Sequence, residues 1–242
     1  MTFEPAAAPL PHALPLLEDH FGDAFLAQHA MPSLRDAYRM QHTPREESEI
    51  AASRRRLAYD ELFLLHTAML QRRRQWQSRL GVPMTVDDGW LSAFEQRLPY
   101  QFTGAQRQAV EDLRRDMASE VPMNRLLQGD VGSGKTVVAA VAAGMAIANG
   151  TQAAFMAPTS ILAEQHYATL TELMGDGTQV ALLTGSVSQA DREAVYAGLA
   201  DGSVGVVVGT QALIQPGLAF HNLGLGVIDE QHRFGVSQRG AL

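Results

Sequence analysis

Apolar and polar positions change period part-way along the chain. Leu62, Leu65, Met69, Trp76 and Leu80 recur at helical spacing. Thr43-Pro44-Arg45-Glu46 has the form of a helix start: a capping hydroxyl, a proline suited to the first helical position, and an acid that closes a capping box. No breaker follows until Gly81 and Pro83. The pattern predicts one helix of about 37 residues, roughly 55 Å long at the standard rise. Ahead of it, Pro5, Pro9, Pro11 and Pro15 mark residues 1–18 as a linker, and weak helical pieces surround Phe21-Phe25-Leu26 and Leu34-Tyr38. Behind it, Val82–Gly89 is a joint, Trp90–Leu98 a short helix stopped by Pro99, and Thr103 opens a helix with Gln106, Val110, Leu113 and Met117 on one face. Locally, Gln106 reads as the closing residue of a capping box.

Beyond residue 120 strands and helices alternate. Arg125–Gln128, Ala153–Ala157, Gln179–Leu183, Val204–Val208 and Leu225–Ile228 read as strands. Val137–Ala148, Ile161–Met174 and a helix capped by Ser188 and running to about Ala200 lie between them. This alternation predicts an α/β fold, a parallel sheet flanked by helices. The expected division is a linker and helical connector over residues 1–98 and an α/β lobe over residues 99–242.

In such sheets ligands sit at the carboxyl ends of the strands. Gly129-Asp130-Val131-Gly132-Ser133-Gly134-Lys135-Thr136 follows the first expected strand and opens a helix, and fits the phosphate-binding P-loop G-x-x-x-x-G-K-[ST]. Its glycines let backbone N–H groups turn toward an anion, and the following helix aims its positive end at the same place. Lys135 supplies a compact charge for the β- and γ-phosphates of ATP, and the Thr136 hydroxyl suits Mg²⁺. Lys135 is the only lysine in the chain, against 18 arginines. The one exception falls where an ammonium serves better than a planar fork.

A second strand end carries complementary chemistry. Gly226-Val227-Ile228 is an apolar strand delivering Asp229 and Glu230. Asp229 is placed to hold Mg²⁺ opposite Thr136, and Glu230 to orient and deprotonate an attacking water. A carboxylate beside the metal aspartate favours an NTP-hydrolysing motor over a nucleotide kinase. The eight histidines show no metal spacing, and no cysteine is present to form disulfides or a thiolate zinc site.

Net charge is −7, which does not suggest a nucleic-acid binder. The distribution is uneven, however. From Ser53 to Leu80 seven arginines, including Arg54-Arg55-Arg56 and Arg72-Arg73-Arg74, face only Asp60 and Glu61. That stretch is either a solvated helix surface or a phosphate-tracking one. No signal-peptide or membrane-spanning pattern occurs, so a cytoplasmic location is expected.

Asp229-Glu230-Gln231-His232 is a DExH-type box, and with it the chain resembles superfamily 2 helicases. Pro122–Thr136 and Asp229-Glu230-Gln231-His232-Arg233-Phe234-Gly235-Val236 are similar to the RecG family of ATP-dependent DNA helicases, over about residue 30 to the end. The resemblance implies a RecA-like lobe, ATP and Mg²⁺ as cofactors, and a double-stranded DNA translocase that remodels stalled forks and branch-migrates junctions. Phe102, Thr103 and Gln106 look like an adenine-recognising motif. Thr159, Thr184, Gly185, Gly209 and Thr210 lie in motifs that touch the DNA backbone without reading bases. Ser160 stands where this family is expected to have an acid.

The departures are larger than one residue. The family's Ser/Thr-Ala-Thr motif, its second motor lobe with arginine fingers, and its N-terminal wedge domain are not in this sequence. The expectation is a fragment of a monomeric, nucleoid-associated parent, one that binds nucleotide weakly and hydrolyses it negligibly alone. Two alternatives stay open: the motor lobe of a transcription-repair coupling translocase, and a P-loop module without motor activity.

Overall fold

The computed structural model describes residues 13–215 and 217–230. The linker residues before 13 and the Gln231–Val236 part of the DExH segment lie outside the described residues. Two compact units divide at Trp76/Gln77.

The first unit is helical. A 3₁₀ turn, Leu14–Leu16, precedes α1 (Asp23–Gln28), α2 (Leu34–His42) and α3 (Glu47–Gln77). The long helix starts later than the sequence pattern suggests. Thr43 ends α2 instead of opening α3: its hydroxyl donates to the Arg39 carbonyl, and Glu49 accepts from the Arg45 N–H and pairs with Arg39. The unit is held by a fully buried Arg56. Its guanidinium pairs with Asp19 at 2.6 Å and with Asp60, donates to the Pro32 carbonyl at 3.1 Å, and lies 5.0 Å from the centre of the Phe21 ring. A charge buried this completely is tolerable only with such a set of partners.

The second unit is α/β. It runs α4 (Asp88–Gln96), α5 (Gly104–Met117), α6 (Lys135–Ala148), β1 (Gln152–Met156), α7 (Ser160–Met174), β2 (Gln179–Leu183), α8 (Gln189–Asp201), β3 (Val204–Gly209), a 3₁₀ turn Gln211–Ile214, and β4 (Leu223–Ile228). All pairings are parallel, in the order β2-β3-β1-β4. Side-chain alternation along β1 feeds two cores. Ala153 and Phe155 pack toward α4–α7 with Val110, Val141, Met145 and Leu170; Ala154 and Met156 pack toward α8 with Leu183, Leu199 and Val207. The short helix α4, read from the sequence with the connector, contributes Phe94 to the first of these cores. It fits because residue 144 of α6 is glycine: a Cβ there would stand 3.0 Å from the rings of Trp90 and Phe94.

One expected strand does not form. Arg125–Gln128 has no ladder partner, and Leu126 is 72% exposed. In the described sheet β4 is the terminal strand, and no ladder pairs this segment with it. Among the described residues no helix is long and apolar enough to cross a membrane.

Candidate nucleotide site

Thr103 caps α5 in a complete capping box: its hydroxyl accepts from the Gln106 N–H, and Gln106 Oε1 accepts from the Thr103 N–H. The other end of the Gln106 amide does a second job. Its Nε2 donates to the Ser133 carbonyl at 3.0 Å, tying α5 to the P-loop. Phe102, by contrast, is buried in the core, and its N–H donates to Glu95 Oε1. Its ring is therefore packed against protein, not presented at the surface.

The P-loop, residues 129–136, runs from exposed backbone into the first turn of α6. Gly129, Asp130, Val131, Gly132 and Ser133 are exposed, while Gly134, Lys135 and Thr136 are half-buried. Gly132 and Gly134 take φ of 79° and 80°, in the left-handed region that glycine enters at no steric cost. At Gly134 a side chain is doubly excluded, since a Cβ would also run into Gln106 Nε2. Lys135 Nζ turns back onto the loop, donating to the Gly129 and Asp130 carbonyls at 2.8 Å each.

Across from the loop, β4 delivers Asp229. Its N–H donates to the Met156 carbonyl at 2.9 Å, extending the ladder by one residue. Asp229 Oδ1 accepts from the Glu230 N–H at 2.9 Å, and Oδ2 lies 2.8 Å from His166 Nε2 on α7. The hydrogen bond with His166 holds the Asp229 carboxyl below the ordinary carboxylate range. Partial burial opposes that shift; the charge of His166, the Glu230 N–H and the Lys135 ammonium reinforce it. Lys135 and Asp229 thus share one electrostatic environment. Glu230 is exposed and sits at φ 48°, a conformation rare outside glycine and frequent at functional sites.

The remaining strand ends vary in accessibility. Thr159 is exposed, with its hydroxyl accepting from the Leu162 N–H at the start of α7. Gly185 is exposed, whereas Thr184 is fully buried with its hydroxyl 2.8 Å from that of Ser186. Gly209 is buried and Thr210 half-buried. His166 is the residue that the sequence reading gave no role at this site. It stands 63 positions from Asp229, and no local spacing signals such a pairing.

A parallel sheet with a P-loop feeding one helix and an Asp-Glu pair leaving another strand is the arrangement of a P-loop NTPase lobe. The chain belongs to the DEAD/DEAH box helicase family, whose model matches residues 103–242. It is similar to the ATP-dependent DNA helicase RecG of Thermotoga maritima, at 44% identity over 227 residues, which cover 93% of this chain and 29% of that protein. RecG of Staphylococcus aureus is 42% identical over 224 residues, covering 86% of this chain and 32% of the relative. Among solved structures, RecG bound to a three-way DNA junction superposes with a TM-score of 0.81 at 42% identity, over 93% of this chain and 31% of that one. The chain therefore spans less than a third of the length of these relatives.

Proposed function

We propose that this chain is the ATP-binding motor lobe of a RecG-type helicase that acts on forked and branched double-stranded DNA in repair and recombination. The observation that carries the reading is the arrangement on one parallel sheet of a P-loop opening α6 and an Asp229-Glu230 pair at the end of β4. We read the motor lobe as residues 99–242 and the connector as the segment ahead of it, with α4 of that segment seated in the core of the α/β unit. Its setting is the bacterial cytoplasm, at DNA.

The residues divide the work. Backbone amides of residues 129–136 cradle the phosphates at the N-terminus of α6. Lys135 exchanges its two carbonyl partners for β- and γ-phosphate oxygens. Thr136 and Asp229 would hold Mg²⁺. An ionised carboxylate opposite a half-buried hydroxyl fits that ion, which takes one or two protein ligands and completes its shell with phosphates and water. When bound, the ion neutralises charge on the transferred phosphoryl group. Glu230 orients the attacking water and accepts its proton. Gln106 links the loop to α5, where the adenine is read. Thr159, Gly185 and Thr210 are the strand-end residues accessible to a DNA backbone.

The test is steady-state ATP hydrolysis by this chain, with and without a three-way DNA junction, beside Lys135→Ala. Transition-state arginines of P-loop motors are worth about 10³–10⁵ in rate, so turnover by the lobe alone stays below about 1 s⁻¹. DNA-stimulated turnover above that value, abolished in Lys135→Ala, would show a complete site in this chain and overturn the lobe reading.

A further inference from the structure

From Leu62 to Val86 the chain contains no acidic residue, but it does contain Arg72, Arg73, Arg74 and Arg79. In a protein of net charge −7 this is an isolated basic stretch. Arg72, Arg73 and Arg74 lie near the C-terminal end of α3, and all three are exposed. Several arginines elsewhere on the surface have carboxylate partners: Arg39 with Glu49, Arg107 with Glu95, Arg114 with Asp88, Arg115 with Asp112 and Arg125 with Asp116; Arg35 and Arg55 instead donate to backbone carbonyls. Among the described residues no carboxylate pairs with Arg72, Arg73 or Arg74. The helix itself offers none, because positions three and four residues away hold Ala68, Met69, Leu70, Gln71, Gln75, Trp76, Gln77 and Ser78.

We propose that Arg72, Arg73 and Arg74 form a sequence-independent contact for the phosphodiester backbone of double-stranded DNA. The charge is complementary, and guanidinium forks match phosphate oxygens. The geometry also fits. Successive helix positions are about 100° apart, so Arg72 and Arg74 leave opposite flanks of α3 with Arg73 between them. A helix about 10–12 Å across fills a groove about 12 Å wide, and side chains on its two flanks face the two bounding phosphate rows. The proposal rests on the duplex-DNA part of the function above. Nucleotide binding through Lys135 is a separate measurement, so either can fail alone.

The experiment is fluorescence anisotropy of a labelled 30-base-pair duplex of arbitrary sequence, titrated with this chain across a salt series. The variants are Arg72→Gln/Arg73→Gln/Arg74→Gln and the corresponding triple lysine exchange, each checked for unchanged helicity by circular dichroism. The glutamine variant should bind at least tenfold more weakly at low salt. Its slope of log affinity against log salt should fall by about 2–3, at roughly 0.9 per phosphate contact. The lysine variant should keep most of the affinity and the slope. Unchanged affinity and slope in the glutamine variant would overturn the proposal, as would absence of duplex binding by the parent chain. A dimer seen by sedimentation and lost in the glutamine variant, with DNA binding intact, would assign the patch to a protein contact instead.

Discussion

His166 Nε2 lies 2.8 Å from Asp229 Oδ2, joining the helix after β1 to the carboxylate at the end of β4. Because the Asp229 carboxyl is held ionised, the hydrogen between them belongs to His166, and the aspartate is the acceptor. The histidine fixes one carboxylate oxygen and the Glu230 N–H fixes the other, so the side chain is oriented before any ligand arrives.

Replacing His166 by alanine should lower stability at neutral pH by about 1 kcal/mol, a modest value because a third of the Asp229 side chain faces solvent. The sign with pH follows from the direction of the shift. A carboxyl whose folded pKa is depressed stabilises the fold above its unfolded value, about 4, and loses that contribution as pH falls through the folded value. Chemical denaturation at several pH values should therefore show the difference between parent and variant shrinking below about pH 4. A difference that grows on acidification would contradict the assignment.

Gly134→Ala should destabilise the lobe by about 1–2 kcal/mol from its left-handed backbone alone, with a further loss from the collision with Gln106. Adding Gln106→Ala to Gly134→Ala should recover only the second part. Thermal unfolding of the two single variants and the double variant measures the coupling. Additive effects would mean that the loop and α5 do not meet as described.

Arg56→Met should cost the helical unit about 3–5 kcal/mol, because it leaves Asp19 and Asp60 without their shared cation. Burial pushes the Asp19 carboxyl up, but N–H donors from Phe21 and Leu34, with Arg56 and His20, outweigh it and hold the group below its ordinary value. Its contribution is complete above about pH 4 and declines as pH falls, so the helical signal of the parent should weaken in acid. Restoration of the Arg56→Met variant by Asp19→Asn and Asp60→Asn would confirm that the deficit is electrostatic. A variant as stable as the parent would refute it.

The P-loop was legible because its chemistry lies within eight consecutive residues, each with a local reason to be there. The parallel sheet was legible from its alternation with helices. What failed depends on partners distant in sequence. Thr43 ends one helix instead of starting the next because Arg39 is within reach of its hydroxyl. Arg125–Gln128 has strand-like composition but joins no ladder in the described sheet. The burial of Phe102 and Thr184 is likewise set by the tertiary fold, beyond what their neighbours in sequence show. Gln106 has the capping role and the loop contact at once, and only the second needs tertiary structure to see.

The most direct test of the account is calorimetric titration of ATP, with magnesium, into this chain, its Lys135→Ala variant and its Asp229→Asn variant. The account predicts measurable binding by the parent, none by Lys135→Ala, and loss of the magnesium dependence in Asp229→Asn. Binding by Lys135→Ala with the parent's affinity would show that the nucleotide site lies elsewhere.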